Sequence, residues 1–418
     1  MTDTTAVRRG PRMPSRRVLV AILLGVIPLS QAPIDIYTPA IPTMITELGT
    51  TSTLVQNTVT VYVLGMSLGL IPVGVIADAK GRRPTLLVCL ALLLVTSVGI
   101  AFTTDIAVLL VLRFLQGVGG CACMVLVYAV AADTTRGAKL TSLSGLLGAS
   151  WGLAPVIAPA IGGFLVDAVS WRGIFVLVAV LAGIALLVVW LVLPETLDPA
   201  DAQPIVPKTI ARVLGGTLRQ KIFLGLTLAF AVFASAQLLF GIVAPLLYEK
   251  VLGLTPFQYG AIALVIGAAN LGGELATGAF ATRISPRTLG FTALGSFVVG
   301  TAVLLVSGLT VGPDLLLLTI GAVFVMLGCG ALCPLAYGLA LGLFDRNLGL
   351  IGGLASAVCY LVVAATMGLA SGLHDRNQVP LSLIYVGCAV VGAVLLALCL
   401  RPRPRAVPAA EADRVTQG

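Results

Sequence analysis

Three ionisable side chains lie inside long apolar stretches of this chain, where an ionised group is costly. Asp35 follows a hydrocarbon run that starts at Val18, Arg113 lies eight residues after Asp105, and Glu274 lies in the second half. In lipid such a group must be paired, hydrated or neutralised. A carboxylate can alternate between charged and neutral forms, whereas an arginine stays charged and always needs partners. We therefore take these three residues as the candidate proton-coupling and substrate-binding groups.

Each of the three residues also has a structural interpretation, which the sequence leaves open. Asp35 could cap a bend near Pro33 and Pro39 in contact with water. Arg113 could bond only to backbone carbonyls, and Glu274 could make only an interhelical hydrogen bond. We expect Asp35 to face a central cavity, because a rise of about 1.5 Å per residue places it in the outer half of a bilayer. We expect Arg113 to tune that acid from a similar depth.

Other polar and aromatic side chains in the apolar stretches are candidates for lining the same cavity. They are Tyr37, Gln56, Gln116, Tyr128, Trp151, Gln237 and Asn270. Gln116 lies one helical turn after Arg113, and Asn270 lies one turn before Glu274, so each pair shares a helix face. A lone aromatic residue in such a stretch more often serves packing, and a glutamine more often joins helices through hydrogen bonds.

The composition excludes an ordinary soluble protein. Hydrophobic residues make up 58% of the 418-residue chain and charged residues only 10%, with a mean hydropathy of +1.08. Soluble domains carry about 25% charged residues. The eight cysteines all lie in apolar stretches, without the histidines or second pair of a zinc site. We therefore expect buried, reduced cysteines and no bound metal.

Runs of about 20 apolar residues predict twelve membrane-spanning helices. The first six are residues 18–41, 53–76, 84–103, 106–131, 140–166 and 174–193. The last six are residues 222–248, 256–282, 288–309, 314–343, 349–371 and 379–400. The predicted fold class is therefore an all-α polytopic membrane protein.

The basic residues predict the orientation of these spans. Of the 25 Lys and Arg residues, 21 fall on one side of the alternating spans, and only Arg172, Lys250 and Arg376 fall on the other. The remaining one is Arg113, within span 4. The richer side is predicted to be cytoplasmic, with both termini on it. The net charge of +8 is then a topology signal and not a nucleic-acid site.

The two halves of the chain resemble each other. GVIADAKGRR (74–83) follows span 2, and GAFATRISPR (278–287) follows span 8. Related halves of this kind are typical of transporters, whose site lies where the halves meet. We predict two pseudo-symmetric six-helix bundles, 18–193 and 222–400. The remaining predicted segments are cytoplasmic: an N-terminal tail (1–17), a linker (194–221) and a C-terminal tail (401–418).

Three motifs resemble signatures of the major facilitator superfamily. GVIADAKGRR resembles the loop after span 2, which the family uses in conformational change; its matching residues are Gly74, Asp78, Gly81, Arg82 and Arg83. The loop has Ala79 where the family usually has Arg or Lys. RFLQGVGG, which starts at Arg113, resembles the span-4 motif. GASWGLAPVIAPAIGG resembles the span-5 motif of antiporters; its matching residues are Gly148, Gly152, Pro155, Pro159, Gly162 and Gly163.

Three shorter stretches resemble one particular branch of this superfamily. DIYTPA, VQNT and WRGIF begin at Asp35, Val55 and Trp171. They are similar to the drug:proton antiporter branch named for bicyclomycin and chloramphenicol resistance. This resemblance implies proton-coupled export of small organic molecules by alternating access. It also implies that the protein needs no cofactor and takes its energy from the proton gradient. The expected location is the bacterial cytoplasmic (inner) membrane, and the expected form is a monomer whose partners are substrate, protons and lipid.

Alternative functions remain open at this point. One is export of a single endogenous metabolite, such as a nucleoside, an amino-acid derivative or a siderophore, by the same fold. A second is a passive channel, which needs no buried acid. A third is a membrane enzyme, because GASWG (148–152) fits a nucleophile pattern. That pattern needs a base, and the only histidine, His374, is predicted to lie in an outer loop. We therefore expect no enzymatic activity.

Overall fold

The computed structural model describes residues 14–136, 138–198, 207–281, 283–344, 348–370 and 377–400. Within these residues all regular secondary structure is helical, and twelve helices are long and apolar enough to cross a membrane. The first six are α1 (Arg16–Glu47), α2 (Ser52–Lys80), α3 (Arg82–Phe102), α4 (Ile106–Thr134), α5 (Ala138–Ala168) and α6 (Trp171–Val192). The last six are α7 (Lys221–Val251), α8 (Pro256–Phe280), α9 (Pro286–Thr310), α10 (Leu315–Leu341), α11 (Leu348–Ala370) and α12 (Val379–Cys399).

The predicted fold class and its twelve spans are confirmed. The largest difference lies in α1, which was expected to end at residue 41 and continues to Glu47 through several short turns. The linker contains a further helix, Pro207–Leu218. Residues 1–13, 199–206 and 401–418 of the predicted tails and linker lie outside the described residues, as does His374. The domain boundaries drawn from the sequence stay a prediction.

Polar residues just before the spans determine where several helices begin. The carboxylate of Asp105 accepts hydrogen bonds from the backbone N–H groups of Ala107 and Val108 at the start of α4. Thr255 and Gln258 form a reciprocal capping box at the start of α8. Between α2 and α3 the chain turns at Gly81, whose φ of 111° favours glycine. These devices satisfy the amide groups that every helix leaves unpaired at its first turn.

The helices pack as two groups that repeat the same pattern. In the first half α2 packs on α4, and α3 packs between α4 and α6; in the second half α8 packs on α10, and α9 packs between α10 and α12. The halves meet along two seams, α5 with α8 and α2 with α11. A repeat that relates α2 to α8 also relates α5 to α11, so the two seams are equivalent. This packing gives two pseudo-symmetric six-helix bundles around a central region.

The α5–α8 seam depends on small residues. A Cβ atom added to Gly260 of α8 would lie 2.9 Å from the carbonyl oxygen of Pro159 of α5. One added to Gly267 would lie 2.7 Å from the Cα atom of Val156. Glycine therefore lets the two backbones come into direct contact, as is typical of helix pairs in membranes.

The first span is irregular because it contains prolines. Its helical part, Arg16–Val26, is followed by a 3₁₀ turn at Ile27–Ser30, an α-helical turn at Ala32–Asp35 and another 3₁₀ turn at Thr38–Ala40. A final helix, Ile41–Glu47, completes the span. Proline has no N–H group, so each proline removes a backbone hydrogen bond and disrupts the regular helix. The span is therefore interrupted on both sides of Asp35.

The close packing of the seam can be tested by comparing two glycines of α8. Gly260→Ala should push α8 away from α5 and cost about 1–3 kcal/mol of packing energy. Gly272→Ala is the matched control, because a Cβ there would make an ordinary contact of 3.9 Å with Leu327. Both substitutions raise the helix propensity of α8 by the same amount, so this contribution cancels in the comparison. We expect a Tm several degrees lower for Gly260→Ala than for the control in purified protein, and equal values would contradict the direct backbone contact.

Candidate substrate and proton site

A central pocket lies between the two bundles. Its wall is formed by α1, α2, α5, α7, α8 and α10, and three of the predicted site residues contribute to it: Asp35, Gln237 and Asn270. Asp35 comes from the first half, while Gln237 and Asn270 come from the second. The rest of the wall is largely apolar, with Pro155 and Pro159 of the span-5 motif among its members. An apolar pocket with a few convergent polar groups is the usual form of a small-molecule site.

Asp35 stands at the end of the short helical turn in the middle of α1 and is partly buried. Its Oδ2 atom accepts a hydrogen bond of 2.9 Å from Nε2 of Gln31. Its backbone carbonyl accepts a hydrogen bond of 2.9 Å from Oγ1 of Thr38. That carbonyl would pair with residue 39 in a regular helix, but Pro39 has no N–H group to offer. The break in α1 is thus stabilised locally, and it carries the carboxylate to the pocket wall.

Arg113 is fully buried behind this wall, in the first bundle. Its Nη1 atom donates to the carbonyl oxygen of Pro33 at 3.0 Å and to Oε1 of Gln116 at 2.7 Å. Its Nε atom donates to the carbonyl oxygen of Thr58 at 3.3 Å. Among the described residues it forms no ion pair with a carboxylate. The hydrogen bond between Arg113 and the segment that carries Asp35 therefore runs through the backbone of α1, and the expectation that Arg113 tunes Asp35 stays a prediction.

Aromatic rings enclose the guanidinium group. Its Cζ atom lies 4.3 Å from the ring centroid of Tyr37 and 4.7 Å from that of Tyr62, at distances suited to cation–π attraction. The hydroxyl groups of Tyr37 and Thr58 are 2.7 Å apart, and Tyr62 donates to the carbonyl oxygen of Ser30. Two of the cavity candidates, Tyr37 and Gln116, thus belong to the surroundings of Arg113. Gln116 continues the network by donating to Oγ of Ser97 at 2.8 Å.

Glu274 lies beside the pocket, at the α5–α8 seam. Its Oε1 atom accepts a hydrogen bond of 3.0 Å from Nδ2 of Asn270. Its Oε2 atom occupies space that a side chain at position 152 would need, because a Cβ on Gly152 would lie 2.7 Å away. The span-5 motif thus accommodates a carboxylate of the opposite bundle, which the sequence did not indicate. The Oδ1 atom of Asn270 is buried and has no hydrogen-bond partner among the described residues.

The other cavity candidates are more scattered. Gln56 is buried in α2, and Tyr128 of α4 is partly buried, with its hydroxyl 3.7 Å from the Cβ position of Gly148. The Nε1 atom of Trp151 is buried without a hydrogen-bond partner in the described part of the chain. In the span-5 motif, Gly162 packs against the carbonyl of Ile36, and Gly163 packs against the carbonyl of Pro256.

The loop between α2 and α3 is held by three acidic residues, which come from the end of α2, the end of α4 and the segment after α6. Arg82 pairs with Asp78 and, at 3.2 Å, with Asp133 at the end of α4. The carboxylate of Glu195 accepts hydrogen bonds from the backbone N–H groups of Arg82 and Arg83. It thereby caps α3. Asp133 and Glu195 are not among the residues predicted from the sequence, although each follows a predicted span on the same side as the basic loop.

Two further residues of this loop have identifiable contacts. Gly74 of α2 faces α4, where a Cβ would lie 3.6 Å from Val125. The Nη2 atom of Arg83 donates to the carbonyl oxygen of Trp190 near the end of α6, at 2.6 Å. The loop therefore joins the ends of α2, α3, α4 and α6 within the first bundle.

Comparison with known proteins places this architecture in a family. The profile described as Major Facilitator Superfamily matches residues 23–365. The chain belongs to the major facilitator superfamily. The uncharacterised MFS-type transporter YdgK of Bacillus subtilis is 28% identical over 381 residues, which cover 90% of this chain and 94% of YdgK. The multidrug resistance protein MdtL of Escherichia coli O157:H7 is 26% identical over 380 residues, which cover 90% of this chain and 94% of MdtL.

Solved structures agree on the fold. A D-xylose–proton symporter superposes with a TM-score of 0.71 at 15% identity and covers 92% of this chain and 97% of its own. The human organic anion transporter MFSD10 superposes with a TM-score of 0.62 at 17% identity. The superposition covers 92% of this chain and 100% of the MFSD10 chain. At these identities the likeness concerns the fold alone. Together with the twelve apolar helices, these findings make the chain a multi-pass membrane transporter of the superfamily.

The contacts of Arg113 predict that no other cation can replace it. Arg113→Lys keeps the charge but cannot direct separate donors to Pro33, Thr58 and Gln116. We expect a loss of stability of about 2–4 kcal/mol, since hydrogen bonds to charged groups contribute most when buried. Tyr62→Phe, which loses one bond to Ser30, should cost less. Thermal unfolding of both purified variants tests this order, and a Tm of Arg113→Lys equal to that of the parent would contradict it.

Proposed function

We propose that the chain is a proton-coupled antiporter that exports small organic molecules, including drug-like compounds. The observation that carries the proposal is the pocket between the bundles, in which Asp35 of one half faces a wall shared with Gln237 and Asn270 of the other. The motif resemblance to drug:proton antiporters supports it, as does the likeness to MdtL, which is named as a multidrug resistance protein.

In the proposed cycle, Asp35 is the group that exchanges a proton for substrate. When the pocket is open to the more acidic outside, the carboxylate takes up a proton and becomes neutral. When the pocket is open to the cytoplasm, the proton leaves, and the charged carboxylate helps to bind the next substrate molecule. A buried charge without a partner is costly, so the proton or a substrate donor must occupy the site before the pocket closes.

Arg113 and Glu274 have different roles in this proposal. Arg113 positions the turn that carries Asp35, because it bonds to the carbonyl of Pro33 two residues before the carboxylate. Glu274 is a second acid that is linked to the pocket through Asn270. We assign it an accessory role in binding substrate or proton. The proton gradient supplies the energy, and the proposal requires no cofactor.

We further propose that the protein works as a monomer in the bacterial cytoplasmic membrane, with both termini in the cytoplasm. The bias of basic residues toward one side supports this orientation. The bacterial source of the relatives named above supports the membrane assignment.

The direction of coupling can be tested in everted membrane vesicles that contain the protein. After an imposed pH gradient acidifies the vesicle lumen, a transported compound should release protons from the lumen and partly collapse the gradient. Screening drug-like compounds against nucleosides, amino-acid derivatives and siderophores would separate multidrug export from export of one metabolite. Accumulation of a compound only together with protons would contradict the antiport proposal.

The role of Asp35 predicts the behaviour of two variants. Asp35→Asn is neutral at every pH, so proton-driven efflux should fall to the level of vesicles without the protein. Asp35→Glu keeps the ionisable group and should retain partial activity with a shifted pH optimum. Glu274→Gln removes the accessory acid and should lower coupled efflux less than Asp35→Asn does. If Asp35→Asn, at normal membrane abundance, still pumps against a gradient, Asp35 is not the coupling group.

A further inference from the structure

The end of α1 is fixed by the start of α6. Oε2 of Glu47, the last residue of α1, accepts a hydrogen bond of 2.7 Å from the indole Nε1 of Trp171. The same oxygen accepts a hydrogen bond of 2.7 Å from Nη1 of Arg172. The guanidinium of Arg172 also lies 4.2 Å from the ring centroid of Trp171. We call these three residues the outer clamp, because this end of both helices is predicted to face outward.

The strength of the clamp lies mainly in the Glu47–Trp171 bond. The Glu47 and Arg172 side chains are 41% and 33% exposed, and an ion pair in that setting contributes little. Trp171 is fully buried. Its indole can only donate, and without an acceptor it would leave a buried polar group unsatisfied. Glu47 provides that acceptor, so removal of its carboxylate affects a buried side chain of another helix.

Direct contacts continue from the clamp to the neighbourhood of Asp35. The ring of Trp171 meets that of Phe175 edge to face, with 6.0 Å between centroids. Phe175 packs on Tyr37 at 5.7 Å, and Tyr37 packs on the guanidinium of Arg113 at 4.3 Å. Tyr37 is only two residues after Asp35. The clamp and Arg113 thus hold the two flanks of the segment that carries the carboxylate.

The segment needs these anchors because it cannot hold its own shape. Between Asp35 and Glu47 the chain consists of a 3₁₀ turn, Thr38–Ala40, and a seven-residue helix, Ile41–Glu47. Helices this short are not stable alone. Pro39 and Pro42 remove two more backbone donors. Contacts with other helices must therefore fix where the segment lies.

We propose that the outer clamp is a positioning device: Glu47, Trp171 and Arg172 hold the second part of α1 and thereby set the place of Asp35 in the pocket. The effect on transport rests on the proposed function, whereas the effect on α1 does not. This gives the WRGIF stretch (171–175) a physical role, since its Trp, Arg and Phe all belong to the chain of contacts.

The test uses four variants of the full chain. Glu47→Ala removes the acceptor, and Trp171→Phe removes the donor but keeps an aromatic ring. Glu47→Gln keeps an acceptor for Trp171 and should rescue most of the effect. Asp314→Ala is the matched control, because Asp314 is another carboxylate on the predicted outer side. It caps α10 through the N–H of Leu317 and belongs to the other half.

Hydrogen exchange of the purified protein measures the position of α1 without any transport assay. Peptides that cover residues 34–41 should exchange at least about threefold faster in Glu47→Ala and Trp171→Phe than in the parent, since an anchoring contact is lost. Glu47→Gln and Asp314→Ala should leave them unchanged. Unchanged exchange in both Glu47→Ala and Trp171→Phe would overturn the proposal, whatever the protein transports.

Transport then shows whether the position of Asp35 matters. Glu47→Ala and Trp171→Phe should each raise the KM of an exported compound about fivefold, the ratio that loss of one hydrogen bond gives, with little change in kcat. The double variant should be no worse than either single one, because both remove the same bond. Faster exchange with an unchanged KM would overturn the link to Asp35. If exchange is faster in both variants but the parent itself transports no tested compound, the result would count against the proposed function and leave the clamp in place.

Discussion

The missing backbone donors of α1 are the constraint on which the site depends. Pro28, Pro33, Pro39 and Pro42 interrupt its ladder of hydrogen bonds, and lipid offers no water to replace them. Two carbonyls that the prolines leave without a regular partner are taken up by side chains: Oγ of Ser150 donates to Leu24, and Thr38 donates to Asp35. Where the span departs from a regular helix, the hydroxyl of Tyr62 donates to Ser30 and Arg113 donates to Pro33. The shape of α1 is therefore set by the helices around it, and its carboxylate is held where a straight helix would not place it.

This arrangement explains how a buried arginine and a nearby acid can avoid pairing. Arg113 places its charge against carbonyl dipoles, an amide oxygen and two tyrosine rings, while its Nη2 atom has no hydrogen-bond partner among the described residues. Asp35 is left with a neutral partner, Gln31. In the proposed cycle this division is useful, because a carboxylate locked in an ion pair would bind neither proton nor substrate easily. In this proposal Arg113 positions the backbone of the first bundle, and Asp35 binds proton or substrate in the pocket.

The sequence predicted the spans well because hydrophobicity and length alone decide whether a helix crosses a membrane. It also singled out Asp35, Gln237 and Asn270, which line one pocket, since polar groups in apolar runs are few and must face something polar. Their role in transport stays a prediction. The sequence raised backbone carbonyls as possible partners of Arg113 and placed Gln116 on the same helix face, but it could not name Pro33 and Thr58, because a backbone carbonyl leaves no signature in the sequence. The contact of Glu274 with Gly152 and the capping of α3 by Glu195 were also missed. Both depend on how helices far apart in the chain are rotated and placed against each other.

The hydrogen bonds of the three ionisable residues divide along the bundle boundary in the described part of the chain. Asp35 and Arg113 bond to residues of the first half, and Glu274 bonds to Asn270 of the second, although its side chain also packs against Gly152 across the α5–α8 seam. In the proposed cycle the bundles can then tilt against each other at the α5–α8 and α2–α11 seams without breaking these hydrogen bonds. What changes is the distance between Asp35 and the amides opposite it. A substrate that bridges that gap would favour closure, and so would a proton that removes the charge of Asp35 when no substrate is present. Coupling would then follow from one requirement: the pocket does not close around an unpaired carboxylate.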